Sequence, residues 1–279
     1  MTRVIRRFFP FGPNADITFA QGFFDVAMEM NPKPKTVTIS VADSEFPQTA
    51  AIGARHWAKK YDLNVVYDRS FPPNQLDFAP IIRAIQATNP DVVYINCFPP
   101  NAVGIVHAVH ESSFRPTLIG GGMVGPQYAS VKQQLGSLLN GFLSFETFVL
   151  EPTTNFPGIK EFLERYKPKA VATGVDALGY YLPPFSYAGM QILAESIEAT
   201  KSLDQKKMAE YIHRTTHHTI AGDVRFGPDG EWAESRIFQV QYRKISGNGL
   251  GQFEQPGTQV ILFPSAYKSG ALEYPLAHQ

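Results

Sequence analysis

Cysteine is almost missing from this 279-residue chain. The single Cys97 excludes an internal disulfide and any zinc cluster built on several thiolates. It leaves the redox compartment open, because a protein of the periplasm can lack disulfides. Surplus charge is missing too: 25 Lys and Arg balance 25 Asp and Glu. That balance excludes holding nucleic acid by blanket phosphate neutralisation, or an anionic membrane by a polybasic face. Nor is there an apolar run clean enough to cross a bilayer. The uncharged stretches Val92–His110 and Ala177–Ala194 are broken by Pro99-Pro100 and Pro183-Pro184, and the first also holds Asn96, Asn101 and two histidines. Each reads as a buried element joined to a loop, so no membrane insertion is expected. The basic start, Met1–Arg7, runs through Phe8-Phe9 straight into Pro10, Pro13, Asn14 and Asp16, and does not read as a secretory leader.

Catalytic signatures are equally scarce. There is no Gly-x-Ser-x-Gly elbow, Walker loop or Rossmann fingerprint. His107 and His110, followed by Glu111, are not in the HExxH order that places two ligands and a base on one zinc. His217-His218 reads as a solvated, turn-like stretch with no carboxylate cluster nearby. Cys97 has no partner base in view and reads as a small buried residue. No metal or cofactor is implied.

Core-forming material is present: apolar residues make up 44% and aromatics 13% of the chain. From about residue 15 to 150 two kinds of segment alternate. Thr36–Val41, Asn64–Tyr67, Asp91–Asn96, Thr117–Ile119 and Gly141–Val149 are short, β-branched or aromatic, and nearly uncharged. Helix-length pieces lie between them. In Asp77–Asn89, Phe78, Ile81, Ile82 and Ile85 fall on one helical face, with Asp77 placed to cap it and Pro80 harmless in the first turn. Strand–helix repeats of this length need crossover connections, hence an α/β fold with a doubly wound parallel sheet. After 150 the pattern changes. Asn155–Lys167, Phe185–Ala199 and Ser202–Arg214 read as helices. Val224–Phe226, the Gly227–Gly230 turn and Ile237–Lys244 read as a hairpin, and Gln259–Phe263 as a last strand.

In an open α/β sheet the ligand crevice lies beyond the carboxyl ends of the strands. Those ends carry Asp43, Ser44, Glu45 and Phe46 after the first strand, and Asn96, Cys97, Phe98, Pro99 and Asn101 after the third. After the fourth come Gly120, Gly121, Gly122 and Met123. Core packing is the ordinary reading of a phenylalanine; the position of Phe46 and Phe98 just past strand ends points instead to a cleft wall. The glycine run reads either as a tight turn or as backbone N–H groups offered to an anion.

The order of these segments resembles the solute-binding proteins of branched-chain amino-acid (Leu/Ile/Val) type ABC importers, which have a type I periplasmic-binding, two-lobed fold. The likeness runs from Phe24 to Tyr267. It is carried by TVTISVADSEFPQTAAIGARHWAKKYDLNVVYDRSFPPNQLDFAPIIRAIQATNPDVVYINCF, RPTLIGGG, the hairpin-like IAGDVRFGPDGEW and the closing VILFPSAY. The resemblance implies a binder rather than an enzyme. Such a protein closes two lobes on a small solute and hands it to an inner-membrane ABC permease, working in the periplasm without nucleic acid as partner. A ligand-sensing regulatory domain of the same fold and a truncated form that binds weakly or not at all stay open as alternatives. An α/β enzyme would need a nucleophile–base pair in the crevice, and the sequence offers none.

By that resemblance residues 13–150 form a complete second lobe, 151–222 are helices of an incomplete first lobe, and 223–279 are a hairpin and strand returning to the lobes and hinge. The implied ligand-binding residues are Ser44, Phe46, Asn96, Phe98, Gly121, Gly122 and Met123. Where amino-acid-binding members place an acid for the ligand ammonium, this chain has Gly122. The implied solute is therefore an aromatic or aliphatic carboxylate without an α-amino group, unless Glu45 supplies the missing charge for an amino acid. If most of the first lobe's sheet is missing, Phe162, Leu163 and much of the Phe185–Ile197 helix should be exposed.

Overall fold

Uncharged β-branched runs form strands when both faces of a sheet are covered, and the computed structural model builds such a sheet from the first half of the chain. The structure describes residues 17–234 and 236–276; the readings of the N-terminal leader and of the segment's start at 13 lie outside them. The described residues fall into two compact units, one comprising 17–153 and 237–276 and the other 154–234 with Arg236.

The first unit alternates strictly through its parallel part: α1 (Ile17–Ala27), β1 (Thr36–Ala42), α2 (Glu45–Lys60), β2 (Asn64–Phe71), α3 (Ala79–Ala87), β3 (Val92–Cys97), α4 (Pro99–Glu111), β4 (Leu118–Met123), α5 (Ala129–Leu135) and β5 (Leu143–Glu146). The five strands run in the order β2-β1-β3-β4-β5, all parallel. Stepping from β1 to β2 and from β2 to β3 moves in opposite directions across the sheet. Right-handed crossovers therefore put α2 on one face and α3, α4 and α5 on the other. On the first face Phe23, Phe24 and Ala27 of α1 and Ala54 and Trp57 of α2 pack with Val37, Ile39, Val92 and Tyr94. Each such fully buried large side chain contributes about 1.5–3 kcal/mol. The Trp57 indole N–H donates to the Ile17 carbonyl at 2.6 Å and pins the start of α1 to α2.

The glycine run behaves differently from a loop. Gly120, Gly121 and Gly122 lie inside β4, paired with Tyr94, Ile95 and Asn96 of β3, and all three are buried. Gly120 has φ +122°, and a Cβ there would stand 1.9 Å from the Leu143 carbonyl oxygen of β5. At Gly121, with φ +102°, a Cβ would meet the rings of Phe23 and Tyr94 at 2.8 Å. These residues are glycine because neighbouring strands and rings occupy the space of a side chain.

The hairpin expected across 224–244 does not form. The strand after it, β8 (Phe238–Tyr242), is buried along its whole length and joins the large sheet, antiparallel to β5 and to β9 (Gln259–Phe263). Its Gln239 amide donates to the Ser144 carbonyl at 2.8 Å, a contact suited to a central strand and not to an exposed ribbon. Val224 pairs instead with His217, in the two-stranded ribbon of β6 (His217–Thr219) and β7 (Gly222–Val224), while the Gly227–Gly230 turn closes a bridge between Phe226 and Trp232.

That ribbon belongs to the second unit, with α6 (Ile159–Thr173), α7 (Pro183–Thr200) and α8 (Gln205–Arg214). The Asp204 carboxylate caps α8, accepting from the Lys206 and Lys207 N–H groups at 3.0 Å each. His217 is not solvated. It is fully buried, with Nδ1 2.8 Å from Glu195 and Nε2 3.2 Å from the Ile212 carbonyl. Exposure of α6 and α7 divides by face. Leu163, Phe185, Ala188 and Ile192 are buried, and Phe185 stacks on Trp232 at 5.7 Å. Tyr187, Met190 and Leu193 are exposed, at 46%, 62% and 40%, while Phe162 is half-buried. The expectation of exposed Leu163 and Phe185 thus gives way to a small local core, and α7 is apolar on its outer face as well.

One polar knot holds the amino ends of β1 and β3 together. The Asp91 carboxylate accepts from the N–H groups of Lys35 and Thr36 at 2.7 and 2.9 Å and from the Thr36 hydroxyl at 3.0 Å. Burial opposes its ionisation, but those hydrogen bonds and the Lys35 charge outweigh it and hold the carboxyl below its ordinary value of 3.8. A carboxyl lowered on folding adds stability above its unfolded pKa and loses it as pH falls through the folded one. Asp91→Ala should cost about 1–3 kcal/mol in urea unfolding at neutral pH. The gap to the parent protein should narrow below about pH 4; an equal gap at both pH values would refute the assignment.

Candidate functional site

Reversal of strand order between the parallel β1 and β3 leaves a crevice at their carboxyl ends, because the loops that follow them run to helices on opposite faces. Ser44 ends the loop after β1 and precedes α2. Its backbone is extended, with φ −153° and ψ 163°, and its side chain does not cap the helix. The Ser44 Oγ is buried and makes no hydrogen bond with a described residue. Glu45 opens α2 and suits the positive end of the helix dipole. Asp43 stands beside it and accepts from the Gln48 amide at 3.1 Å. The polar side of this crevice is therefore a hydroxyl between two carboxylates.

The other side is apolar. Phe98 directly precedes α4, whose first two residues are Pro99 and Pro100, so the helix opens without N–H donors at those positions. The rings of Phe46 and Phe98 lie 6.4 Å apart, tilted by 40°. Phe46 meets Phe19 of α1 edge-on at 5.1 Å, and Phe19 meets Phe145 of β5 at 4.4 Å. Four aromatic rings from four separated segments thus form one chain, with Phe46 and Phe98 half-buried at its open end and Phe19 and Phe145 buried. Phe19 and Phe145 escaped the sequence reading, since only strand order shows that α1 and β5 meet there.

The remaining candidates lie deeper. Asn96 is fully buried in β3, opposite Gly122 of β4. Apart from a loose approach to the Tyr94 hydroxyl, its amide makes no hydrogen bond with a described residue. Gly121 and Met123 are also buried in β4. Phe46 and Phe98 are thus brought together, the Ser44 hydroxyl is buried at the start of α2, and Asn96, Gly121, Gly122 and Met123 lie within β3 and β4. Asn101 is structural: its amide donates to the Pro73 and Gln75 carbonyls at 2.9 and 3.2 Å and ties down the loop after β2.

A second group of polar residues adjoins Phe145. Lys132 of α5 and Glu146 of β5 form a buried pair at 3.5 Å, joined by the Tyr242 hydroxyl 3.3 Å from Glu146. Burial pushes the Glu146 carboxyl up, an effect that the Lys132 charge and its hydrogen bonds reduce. The Tyr242 phenol is pushed up by burial first and by Glu146 second. Burial likewise pushes the Cys97 thiol up, which makes it a poor nucleophile. His110 is occupied by the Leu138 carbonyl at 2.8 Å. Among the described residues no group of three His, Cys, Asp or Glu is arranged to hold a metal ion, and no helix is long and apolar enough to cross a membrane.

Comparison with known proteins follows this geometry. The family described as "Periplasmic binding protein" matches residues 5–248. Leu/Ile/Val-binding protein homolog 7 of Brucella abortus (strain 2308) is 24% identical over 245 residues, which are 87% of this chain and 58% of that protein. The chain therefore spans little more than half the length of that relative. Among solved structures, the leucine-, isoleucine-, valine-, threonine- and alanine-binding protein from Brucella ovis, in its closed conformation, superposes with a TM-score of 0.69. It is 18% identical, with 96% of this chain and 67% of that one covered. The solute-binding protein of an ABC transporter from Rhodopseudomonas palustris HaA2, in complex with p-hydroxybenzoic acid, gives a TM-score of 0.63. It is 20% identical, with 84% of this chain and 63% of that one covered.

The packing of Asn96 on Gly122 is open to measurement. A Cβ at position 122 would stand 2.6–2.9 Å from the Asn96 side chain. Gly122→Ala should therefore destabilise by about 1–3 kcal/mol. Most of that cost should vanish when Asn96→Ala is added, giving a coupling in a double-mutant cycle; simple additivity would count against the contact.

Proposed function

Since the chain belongs to the periplasmic binding protein family, we propose that it is the solute-capturing component of an ABC-type importer, working in the periplasm and delivering its solute to an inner-membrane permease. The supporting observation is the aromatic wall at the strand-order reversal, where Phe46 and Phe98 stand 6.4 Å apart, with the Ser44 hydroxyl, unpaired among the described residues, two positions before Phe46. Such a wall suits a flat or branched apolar group, and the hydroxyl suits one polar end of a small solute. Asn96, Gly121, Gly122 and Met123 form the floor beneath it in this reading.

We assign the solute to small carboxylates with an aromatic or aliphatic body, or to amino-acid-like molecules. The absence of an acid at Gly122 favours the first group. Crowding by Asn96 accounts for the glycine, since a Cβ at 122 would stand 2.6–2.9 Å from that side chain. The p-hydroxybenzoic acid complex of the R. palustris relative is in keeping with that preference. Asp43 and Glu45 keep the second group open, since their carboxylates stand where a ligand ammonium would be balanced. The reading is capture of a solute, as in the solute-binding proteins this chain resembles.

A thermal-shift screen against aryl carboxylates, branched-chain carboxylates and branched-chain amino acids tests this. A true solute raises the midpoint progressively with concentration, following RT ln(1 + [L]/Kd). Phe46→Ala and Phe98→Ala should each weaken Kd roughly three- to tenfold. If no member of the three classes stabilises the protein, or if both variants bind as the parent does, the assignment fails.

A further inference from the structure

A second cleft lies wholly within the unit of α6, α7 and α8. It encloses about 440 Å³, well within the size range of small-molecule sites. One stripe of α6 forms a wall: Phe162, Arg165, Tyr166 and Lys169 recur at i, i+3, i+4 and i+7. The Phe162 and Tyr166 rings lie parallel to within 8° at 5.9 Å, and Tyr187 of α7 faces Phe162 at 5.1 Å. Tyr166 is held in place, its hydroxyl donating to the Asp176 carbonyl at 2.6 Å. Gln191 of α7 reaches the same cleft; its Oε1 accepts from the Ile220 N–H at 3.0 Å, so its NH₂ is the end left to donate.

Charge selects the occupant. Arg165 and Lys169 line the cleft, and neither side chain is held in an ion pair among the described residues. Glu161 is the one acid of the lining, so the three charged groups sum to +1. An aromatic surface with one net positive charge and a free guanidinium fork matches a flat monoanion. Dianions gain less than they lose in hydration against a single net charge, and neutral ligands leave the fork unused. From this arrangement we infer that the cleft is an accessory site for a small aromatic monocarboxylate. The ring lies against Phe162 and Tyr187, and the carboxylate is held by Arg165 and Lys169 with the Gln191 amide.

Titration of the full chain carrying 3-fluorotyrosine with 3-phenylpropanoate, followed by fluorine NMR, reads the site directly. The Tyr187 resonance is identified by its loss in Tyr187→Phe. It should shift and saturate with 3-phenylpropanoate, and should stay in place with the neutral 3-phenylpropan-1-ol. The double variant Arg165→Gln, Lys169→Gln alters only exposed positions and should weaken the response roughly tenfold or more. Phe46→Ala should leave it intact, which separates this site from the crevice of the other unit. An unmoved Tyr187 resonance, an equal response to the alcohol, insensitivity to the double variant, or loss of the response in Phe46→Ala would each overturn the inference.

Discussion

Three consecutive residues without side chains set the geometry of the sheet. Gly120 lets β5 approach β4 so closely that a methyl group would overlap the Leu143 carbonyl. Gly121 makes room for Phe23 and Tyr94, and Gly122 for the Asn96 amide. A side chain at any of the three would push a neighbouring strand or the helix α1 outward. The aromatic chain from Phe145 through Phe19 and Phe46 to Phe98 depends on that closeness, because its members come from β5, α1, the first turn of α2 and the residue before α4. The site is thus a consequence of how tightly β4 is seated. In a close-packed interior such strain is passed on to the neighbours instead of being absorbed.

The local pattern was legible where one physical signal dominated. The apolar stripe of Asp77–Asn89 became α3, with Ile82 and Ile85 buried, though the helix begins two residues later than Asp77. Asp77 accepts from the Ala79 N–H at 3.0 Å just before the first turn, so its role in starting the helix was nearly right. The glycines of β4 misled because glycine is usually read through its backbone freedom. Here the deciding term is crowding by β3 and β5, which appears only once the strands are paired. The ribbon was misassigned for a related reason. A Gly-Pro-Asp-Gly turn says that the chain reverses, but not which later strand it meets. The buried Gln239 and Gln241 of β8 are satisfied by backbone carbonyls, Gln239 by that of Ser144 and Gln241 by that of Glu273. His217 escaped because Glu195 lies 22 residues away along the chain.

For the proposed crevice, position after a strand was the signal used and residue type was not. Phe46 and Phe98 were separable from ordinary core phenylalanines only through the rule that open α/β sheets bind at their carboxyl ends. Phe19 and Phe145, chemically identical, sit behind them and complete the wall. No rule of spacing links positions so distant in sequence. Strand order does, through the reversal between β1 and β3.

The polar groups around that wall divide into two kinds, and the division bears on selectivity. On one side the Lys132–Glu146–Tyr242 group is closed on itself: the Glu146 oxygens accept from Lys132, Gln127 and Tyr242, and the Lys132 ammonium reaches the Gln127 carbonyl at 3.3 Å. Buried and mutually satisfied, these charges fix β5 and α5 and have little left to offer a solute. On the other side the Ser44 hydroxyl has no hydrogen-bond partner among the described residues, and Asp43 and Glu45 face water. An incoming molecule therefore competes with no internal bond at Ser44, whereas at Glu146 it would have to break several. In the proposed site that asymmetry would direct the polar end of a ligand toward the start of α2. There the helix dipole favours an anion and the two neighbouring carboxylates favour a cation. Opposed fields of this kind cancel in part, so in the proposed site it is the apolar contact with Phe46 and Phe98 that would carry most of the discrimination between solutes.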